Sequence, residues 1–264
     1  MRVPATAGAD RAASGPRQAE PSGHTMRILL ISDIHGNYPA LQAVDEATRS
    51  LDCSHILNCG DSLVYAPFPN ETLDWLRERE AFSIRGNTDD KIIRLLKGKS
   101  FKKPSKPEKR IMYTSTQAAL SAENSAFLLE LKKRKLLRLG KTFIGLYHGS
   151  PTDHEEFLFD DTPTKRFKEL AKAGNYEIVV TGHSHTPYAR LVGGIHFINP
   201  GSVGRMFDGR PEASYAILEL GRGNKVRVTL HRCPYDVEAV VTALDQQGLP
   251  AIYAEMFRTG RKLN

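Results

Sequence analysis

Five short polar motifs in this sequence each follow a short apolar segment that has the composition of a β-strand. In chain order they are S-D-I-H-G-N at 32–37, C-G-D at 59–61, R-G-N-T-D at 85–89, Y-H-G at 147–149 and G-H-S-H at 182–185. Mixed imidazole and carboxylate ligands suit zinc, iron or manganese better than calcium. Glycines beside them let the backbone approach an ion or a phosphate group, where a Cβ atom would collide. The residue types therefore predict a transition-metal site.

The placement of the motifs predicts that they form one cluster. In the first half of the chain, strands alternate with helical patterns, which indicates parallel strands joined by right-handed crossovers. The carboxyl ends of such strands meet at one edge, where ligands bind. Residues two apart on an extended segment point to the same side, so we expect Asp33 and His35 to hold one ion together. The predicted cluster contains Asp33, His35, Asp61, Asn87, His148, His183 and His185.

Apolar patterning predicts the elements that position these motifs. In the first half we expect strands at 27–32, 56–58 and 82–85, and helices at 38–49, 71–79, 91–96 and 116–131. In the second half we expect strands at 136–138, 142–147, 178–181, 188–192, 195–198, 214–220 and 225–231, followed by helices at 236–247 and 251–257. The simplest architecture is one α/β domain of two packed sheets flanked by helices.

The domain boundaries follow from composition. Residues 1–25 are rich in Ala, Gly, Pro, Ser and Arg without a hydrophobic period, which predicts a disordered extension before a domain at 26–264. Met26 is an alternative start of translation. Residues 98–110 interrupt the pattern with Lys, Ser and Pro, which predicts an exposed basic insertion. The C-terminal helices, within 235–264, are expected to cover a sheet or to mediate dimerisation, and the oligomeric state is left open.

Composition limits the class of protein. The 264 residues carry a formal charge of +7, and hydrophobic residues make up 40% of them. No run of eighteen apolar residues exists, which argues against a membrane helix, and the N-terminus lacks the apolar segment of a secretory signal. These features predict a cytoplasmic protein. Basic residues cluster at 97–110 and 132–135, which is typical of a solvated surface; a nucleic-acid partner is the weaker alternative.

The order D-x-H, G-D, G-N-x-D, H-G, G-H-x-H resembles the calcineurin-like metallophosphoesterase superfamily. The resemblance is closest to its small prokaryotic phosphodiesterase and phosphatase branch, with S-D-I-H-G-N near the start and N-P-G-S-V near the end. The second motif stands here at 199–203, and the match covers about 26–231. It implies a four-layer α/β/β/α sandwich with a dinuclear metal site at the strand carboxyl ends.

The resemblance also implies a role for each ligand. Asp33, His35 and His185 would hold the first divalent ion. Asn87, His148 and His183 would hold the second, and Asp61 would bridge both, since a carboxylate can span two ions roughly 3.5–4 Å apart. Manganese, iron, zinc and nickel share these ligands, and we expect manganese to serve in vitro.

The implied reaction is hydrolysis of a phosphate mono- or diester, nucleotides included, by a hydroxide that bridges the two ions. Asp61, Asn87 and His148 are the expected catalytic residues, and Asp89 is expected to orient a histidine or a loop. Many members carry a histidine general acid where Thr88 stands here. Threonine cannot supply a proton near neutral pH, so we expect higher rates on activated aryl phosphates or anhydrides.

Two residues outside the motifs are candidates for substrate binding. Arg205, after the N-P-G-S-V motif, suits a phosphate contact or a surface salt bridge, and Tyr65 suits a pocket wall or core packing. His154 and His196 are predicted to be ordinary surface or sheet residues. The alternative functions are a non-catalytic metal-binding scaffold of the same fold, and a nuclease. All seven ligand types are present, which favours the enzyme.

Overall fold

A computed structural model describes residues 25–264, which form two five-stranded sheets. The first sheet has the order β10-β9-β1-β2-β3 and contains β1 (Met26–Ile31), β2 (His55–Asn58), β3 (Phe82–Ser83), β9 (Ala213–Leu220) and β10 (Val226–Cys233). The second has the order β4-β5-β6-β8-β7 and contains β4 (Arg134–Leu139), β5 (Thr142–Tyr147), β6 (Ile178–Val180), β7 (Tyr188–Val192) and β8 (Ile195–Asn199). The three strands β1, β2 and β3 run parallel, as do β5, β6 and β8.

Eight helices cover the two sheets within the described residues. They are α1 (Tyr38–Thr48), α2 (Pro69–Glu78), α3 (Asn87–Leu96), α4 (Pro107–Ala119), α5 (Ala122–Glu130), α6 (Thr164–Leu170), α7 (Val237–Gln246) and α8 (Ile252–Thr259). Short 3₁₀ turns occupy Arg49–Leu51 and Arg222–Asn224. None of the helices within residues 25–264 combines the length and apolar character needed to span a bilayer.

The alternation of side chains along β1 shows how the layers are built. Ile28 and Leu30 point into the core between the two sheets, where they belong to one cluster with Ile144 and Ile198 of the second sheet. The intervening residues of β1 point to the other face and pack against the helices. Every helix except α6 contributes to that helical layer.

The fourth layer lies on the outer face of the second sheet. Phe167 of α6 is fully buried there against Val179 and Phe197. The molecule is therefore helix, sheet, sheet and helix in sequence, so the predicted four-layer α/β/β/α sandwich is confirmed.

Several predicted boundaries are wrong for local reasons. The single helix expected at 116–131 is two helices, because Ser121 caps a new one with a hydrogen bond from the Asn124 N–H at 3.1 Å. The third helix begins at Asn87, four residues early, and α6 was not predicted.

The basic insertion expected at 98–110 is only partly exposed. Lys102 and Lys106 face solvent, but Phe101 is 7% exposed and joins the core beneath the helices. Arg110 covers its ring at 4.8 Å, and α4 already begins at 107. The two C-terminal helices cover the first sheet. Residues 1–24, nearly all of the predicted disordered extension, lie outside the described part of the chain.

Candidate metal centre

Two compact groups of ligand-type side chains lie at the carboxyl ends of the parallel strands. The first contains Asp33, His35 and His185, and the second contains Asp61, His148 and His183; within each group the ligand atoms lie within 4.8 Å of one another. The residues at 33, 35 and 61 follow strands of the first sheet, and those at 148, 183 and 185 follow strands of the second. Each group therefore joins both sheets, and the packing of the sandwich sets its geometry.

The backbone of these ligand residues is not extended. A positive φ occurs at Asp33 (52°), His35 (54°), Asp61 (51°), His183 (65°) and His185 (57°). The expectation that Asp33 and His35 align on an extended segment is therefore wrong. Asp33 and His35 still fall into one group, whereas the two histidines of the H-x-H motif fall into different groups.

The strained loops are held by neighbouring backbone. The N–H of Asp33 donates to the carbonyl of Gly60 at 2.9 Å, and the N–H of His35 donates to the carbonyl of Asp61 at 3.0 Å. Left-handed backbone at a non-glycine residue costs about 1–3 kcal/mol and persists where the surroundings fix it, typically at functional sites. Five such residues in one cluster make this edge the candidate functional site of the fold.

Three histidines are oriented by backbone carbonyls. In each, Nδ1 faces a main-chain oxygen, at 2.9 Å for His148 with Cys59, at 3.4 Å for His35 with Leu63, and in a short contact for His185 with Arg205. An Nδ1–H that donates to a carbonyl leaves the lone pair of Nε2 free as an acceptor. Metal-binding histidines are held in this way.

Ligand-type atoms face one another at short distances in both groups. The Nε2 atoms of His35 and His185 lie 3.2 Å apart, and Nε2 of His148 lies 3.0 Å from Oδ1 of Asn87 and 3.1 Å from Nδ1 of His183. Within residues 25–264, Oδ1 of Asp33 is buried without a hydrogen-bond partner. Buried acceptors that face one another need a cation between them. The residues present therefore fit divalent metal ions.

The electrostatics of the site also suit a cation. Burial, together with the charge of His185, lowers the pKa of His35 to about 3, and burial with the charge of His148 lowers the pKa of His183 to about 4. These two imidazoles are neutral ligands at neutral pH. Burial also disfavours the charged form of His148, yet the carboxylate of Asp61, 3.5 Å away, raises its pKa to about 10. The negative charge of Asp61 therefore stabilises positive charge at Nε2 of His148.

The amino end of α3 brings Asn87 and Asp61 together. Asn87 is the first residue of the helix, and its Oδ1 points at His148. Oδ1 of Asp61 accepts the N–H of Thr88 at 2.7 Å, so the carboxylate also caps the helix, where the helix dipole favours negative charge. Asn87 thus lies beside the second group.

Asp89 holds the loop that carries Asp61. Its carboxylate accepts the N–H groups of Ser62 and Leu63 at 3.2 Å each and that of Gly86 at 2.9 Å. Asp89 was predicted to orient a histidine or a loop. In the structure its carboxylate orients the loop. Burial and the charge of Asp61 raise the pKa of Asp89 to about 7, against the effect of these donors.

The side chain of Thr88 is engaged by the backbone. Its side chain is buried, and its hydroxyl donates to the carbonyl of Leu63 at 3.1 Å. The hydroxyl is therefore engaged in the loop behind the site, in keeping with the expectation that Thr88 does not act as a general acid.

The two predicted substrate-binding residues lie beside the first group. The guanidinium carbon of Arg205 lies 3.9 Å from the ring centroid of Tyr65, which in turn packs edge-on against His35 at 5.2 Å. Arg205 is 7% exposed and makes no ion pair within residues 25–264, so the surface salt bridge is wrong. Tyr65 is buried in the core beneath the helices and also borders the site.

Three residues of the site were not predicted. Phe157 stacks on His183 with the ring centroids 4.1 Å apart, Phe207 stacks on His185 at 4.5 Å, and the ring of His154 lies 5.7 Å from that of His148. The prediction that His154 is an ordinary surface residue is wrong. The signal for Phe157 was the apolar run 157–159 among acidic residues after the H-G motif, which belongs to no predicted helix or strand.

With this geometry established, the family of the chain can be stated. Residues 26–223 match the calcineurin-like phosphoesterase superfamily domain, and the chain belongs to that superfamily, as predicted. The family is named for phosphoesterases, enzymes that hydrolyse phosphate esters.

Relatives cover most of the chain. It is 29% identical over 254 residues to the uncharacterized protein MJ0912 of Methanocaldococcus jannaschii. The aligned region covers 89% of this chain and 98% of that protein. It is 26% identical over 204 residues to the phosphodiesterase YfcE of Escherichia coli K12, which spans 74% of this chain and 88% of that enzyme.

Solved structures share the fold. A metallophosphoesterase from Sphaerobacter thermophilus matches with a TM-score of 0.72 at 28% identity, over 90% of this chain and 100% of that one. The hypothetical protein PH1004 from Pyrococcus horikoshii OT3 matches with a TM-score of 0.78 at 19% identity, over the same shares.

Proposed function

We propose that this protein is a metal-dependent phosphoesterase that hydrolyses phosphate mono- or diesters with two divalent metal ions. The observation that carries the proposal is the pair of ligand groups at the junction of the two sheets, in each of which the ligand atoms lie within 4.8 Å of one another. The relative YfcE is named as a phosphodiesterase, which supports the same chemistry here.

The ligand assignment follows the two groups. Asp33, His35 and His185 would hold the first ion, Asn87, His148 and His183 the second, and Asp61 would be shared. The shared role of Asp61 is supported by its effect on both sides: its charge acts on His35 of the first group and on His148 of the second. Bound divalent ions supply a lowered pKa for water and positive charge for phosphoryl oxygens.

Asn87 is proposed to contact the substrate directly. With Oδ1 directed at His148, its Nδ2 group has two N–H donors left for a phosphoryl oxygen. A fixed donor aimed at developing negative charge is a strong contribution to phosphoryl transfer. Arg205 and Tyr65 are proposed to border the substrate on the side of the first group, since Tyr65 packs against His35 and Arg205 lies over the ring of Tyr65.

The engaged hydroxyl of Thr88 sets a preference among substrates. Without a general acid at this position, the leaving group must depart as an anion or take its proton from water. A general acid is worth on the order of 10²–10⁴-fold. Activated aryl esters and anhydrides, whose leaving groups are stable as anions, are therefore the proposed better substrates, and alkyl esters the worse ones.

The test is turnover of p-nitrophenyl phosphate and of bis-p-nitrophenyl phosphate by metal-stripped protein, before and after addition of Mn²⁺. We expect turnover only with metal, and the ratio of the two rates separates monoesterase from diesterase activity. Asp61→Asn is expected to abolish turnover, and Asp245→Asn, an exposed carboxylate of α7, is the matched control.

Two results would overturn the proposal. Equal turnover with and without divalent metal would remove the metal dependence. A folded protein that binds two ions but hydrolyses neither ester nor an anhydride such as ADP would indicate the non-catalytic scaffold instead.

A further inference from the structure

Arg205 is a buried cation without an anionic partner. It is 7% exposed, its Nε has no hydrogen-bond partner within residues 25–264, and Nη2 lies 2.9 Å from the sulfur of Met256. Burial of a charge is costly unless the charge is paired. Three rings, those of Tyr65, Phe207 and Tyr253, lie 3.9–5.5 Å from the guanidinium carbon and offset part of that cost. A guanidinium with free donors beside a catalytic centre is suited to an anion.

Two lysines add positive charge at the same place. Nζ of Lys262, near the C-terminus, lies 5.7 Å from the ring centroid of Phe207, the ring that also contacts Arg205. Lys109 of α4 is half-buried, and burial together with the charges of Lys262 and Arg205 lowers its pKa. Glu108 opposes them, but neither lysine makes an ion pair within residues 25–264. Arg205, Lys109 and Lys262 therefore bring positive charge from three separate segments, with Glu108 as an opposing carboxylate beside Lys109.

The aromatic side chains connect this cluster to the ligand groups. Phe207 stacks on His185 with the two rings nearly parallel, and Tyr65 packs edge-on against His35. Arg205 is thus one ring away from two ligands of the first group. An anion held by the cluster would lie beside the first group and apart from the second.

Resting on the proposed function, we propose that Arg205, Lys109 and Lys262 form a second anion-binding subsite, so that the substrate carries another phosphate group next to the one that is hydrolysed. A phosphate carries up to two charges and several acceptor oxygens, which matches a guanidinium fork and two ammonium groups better than a single carboxylate would. Phosphoanhydrides and bisphosphorylated esters are the substrate classes that meet this requirement.

The experiment measures equilibrium binding of methylenediphosphonate and of methylphosphonate to the Mn²⁺-loaded protein by calorimetry. The diphosphonate cannot be hydrolysed and carries the second anionic group. The dissociation constant of methylphosphonate divided by that of the diphosphonate therefore reports the contribution of the subsite. We expect the double variant Lys109→Ala/Lys262→Ala to lower this ratio about tenfold. Each lysine that pairs with the second anionic group contributes up to about fivefold, and the variant removes two of them. Part of the wild-type ratio comes from the metal ions, and that part is the same in the variant.

Lys141→Ala is the matched control. Lys141 is exposed in the turn between β4 and β5, at the opposite end of β5 from His148. This variant is expected to keep the wild-type ratio. An equal ratio in the double variant, the control and the wild type would overturn the subsite. Because binding is measured without turnover, a protein that hydrolyses nothing but shows the expected ratios would contradict the proposed function and leave the subsite in place.

Discussion

The carboxylate of Asp61 joins two parts of the molecule that the sequence separates. One oxygen accepts the N–H of Thr88 at the start of α3, and the other lies 3.5 Å from Nε2 of His148 on the second sheet. The spacing of the motifs predicted that such residues converge, because each follows a strand. It could not predict the left-handed backbone of the ligand residues, since φ at a non-glycine residue depends on the hydrogen bonds that hold its loop.

Phe157 gives a prediction at the scale of one residue. Its ring covers His183 but remains 55% exposed, so an aromatic leaving group can stack against it. Such contacts are worth about 0.5–1.5 kcal/mol. We expect Phe157→Ala to raise KM for an aryl phosphate about twofold to tenfold, and to leave KM for an alkyl phosphate unchanged.

Steady-state kinetics on both esters checks this. Leu191→Ala, which also removes an exposed apolar side chain, is the control. Equal effects of Phe157→Ala on the two esters would show that the ring only shields His183.

Close contacts between loops position the ligands at the scale of elements. A Cβ atom added at Gly86 would lie 2.1 Å from Oδ1 and 2.5 Å from the backbone N of Asp61. Gly86→Ala is therefore expected to displace Asp61 and to lower kcat/KM on the order of 10²-fold, as a misplacement of about 1 Å can. Gly221→Ala is the matched control, because its nearest contact, Cβ of Lys225, is at an ordinary 3.5 Å. Similar activity of the two variants would contradict this account.

Asp90 ties α3 to its neighbours by charge. Its carboxylate lies 2.7 Å from Nε of Arg85, 2.7 Å from Nζ of Lys133 and 3.5 Å from Nε2 of His154. Burial alone would raise the pKa of Asp90, but the contacts with His154 and Lys133 and the nearby positive charges lower it below its usual value. The network therefore stabilises the fold while Asp90 is ionised.

The pH dependence of stability follows from the lowered pKa of Asp90. The folded-state pKa is below the unfolded value of about 3.9, so the stabilisation is complete above that value and is lost as the pH falls towards the lowered pKa. We expect Asp90→Asn to reduce the free energy of unfolding by about 1 kcal/mol at pH 7, because the partners are partly exposed, and by less at pH 3. Urea unfolding at both pH values measures this. If the free energies of unfolding of the wild type and of Asp90→Asn differ as much at pH 3 as at pH 7, the charge network does not stabilise the fold.

The elements themselves show what a single sequence predicts well. Strands such as β1 and β5 were predicted to within a residue or so, because a short apolar run between polar turns has few other structures available. The division between α4 and α5 was missed, since it depends on the cap at Ser121, and helix α6 was missed within an irregular polar segment. Phe101 was placed in an exposed insertion because its lysine neighbours hid its burial.

At the scale of the whole molecule, the core between the two sheets holds the ligand groups together, because each group takes residues from both sheets. Leu30 lies in that core and is fully buried. We expect Leu30→Ala to reduce the free energy of unfolding by about 2–5 kcal/mol. Leu136→Ala, at a side chain that is 55% exposed, is expected to change it by no more than about 0.5 kcal/mol.

Thermal or urea unfolding of the two leucine variants measures the contrast. We also expect Leu30→Ala to weaken binding of Mn²⁺. Each ligand group takes residues from both sheets, so looser packing between the sheets moves the ligands of one group apart. Unchanged metal affinity in a destabilised Leu30→Ala protein would mean that the loops alone fix the site.

The most direct test of the central claim is the number of Mn²⁺ ions bound per chain, measured by elemental analysis after stripping and reloading, with ester hydrolysis followed on the same samples. The account predicts two ions per chain in the wild type and hydrolysis that requires them. It also predicts fewer ions in Asp33→Asn and Asp61→Asn, and two in Asp245→Asn. A stripped protein that hydrolyses at the full rate, or a folded wild type that binds no Mn²⁺, would contradict it.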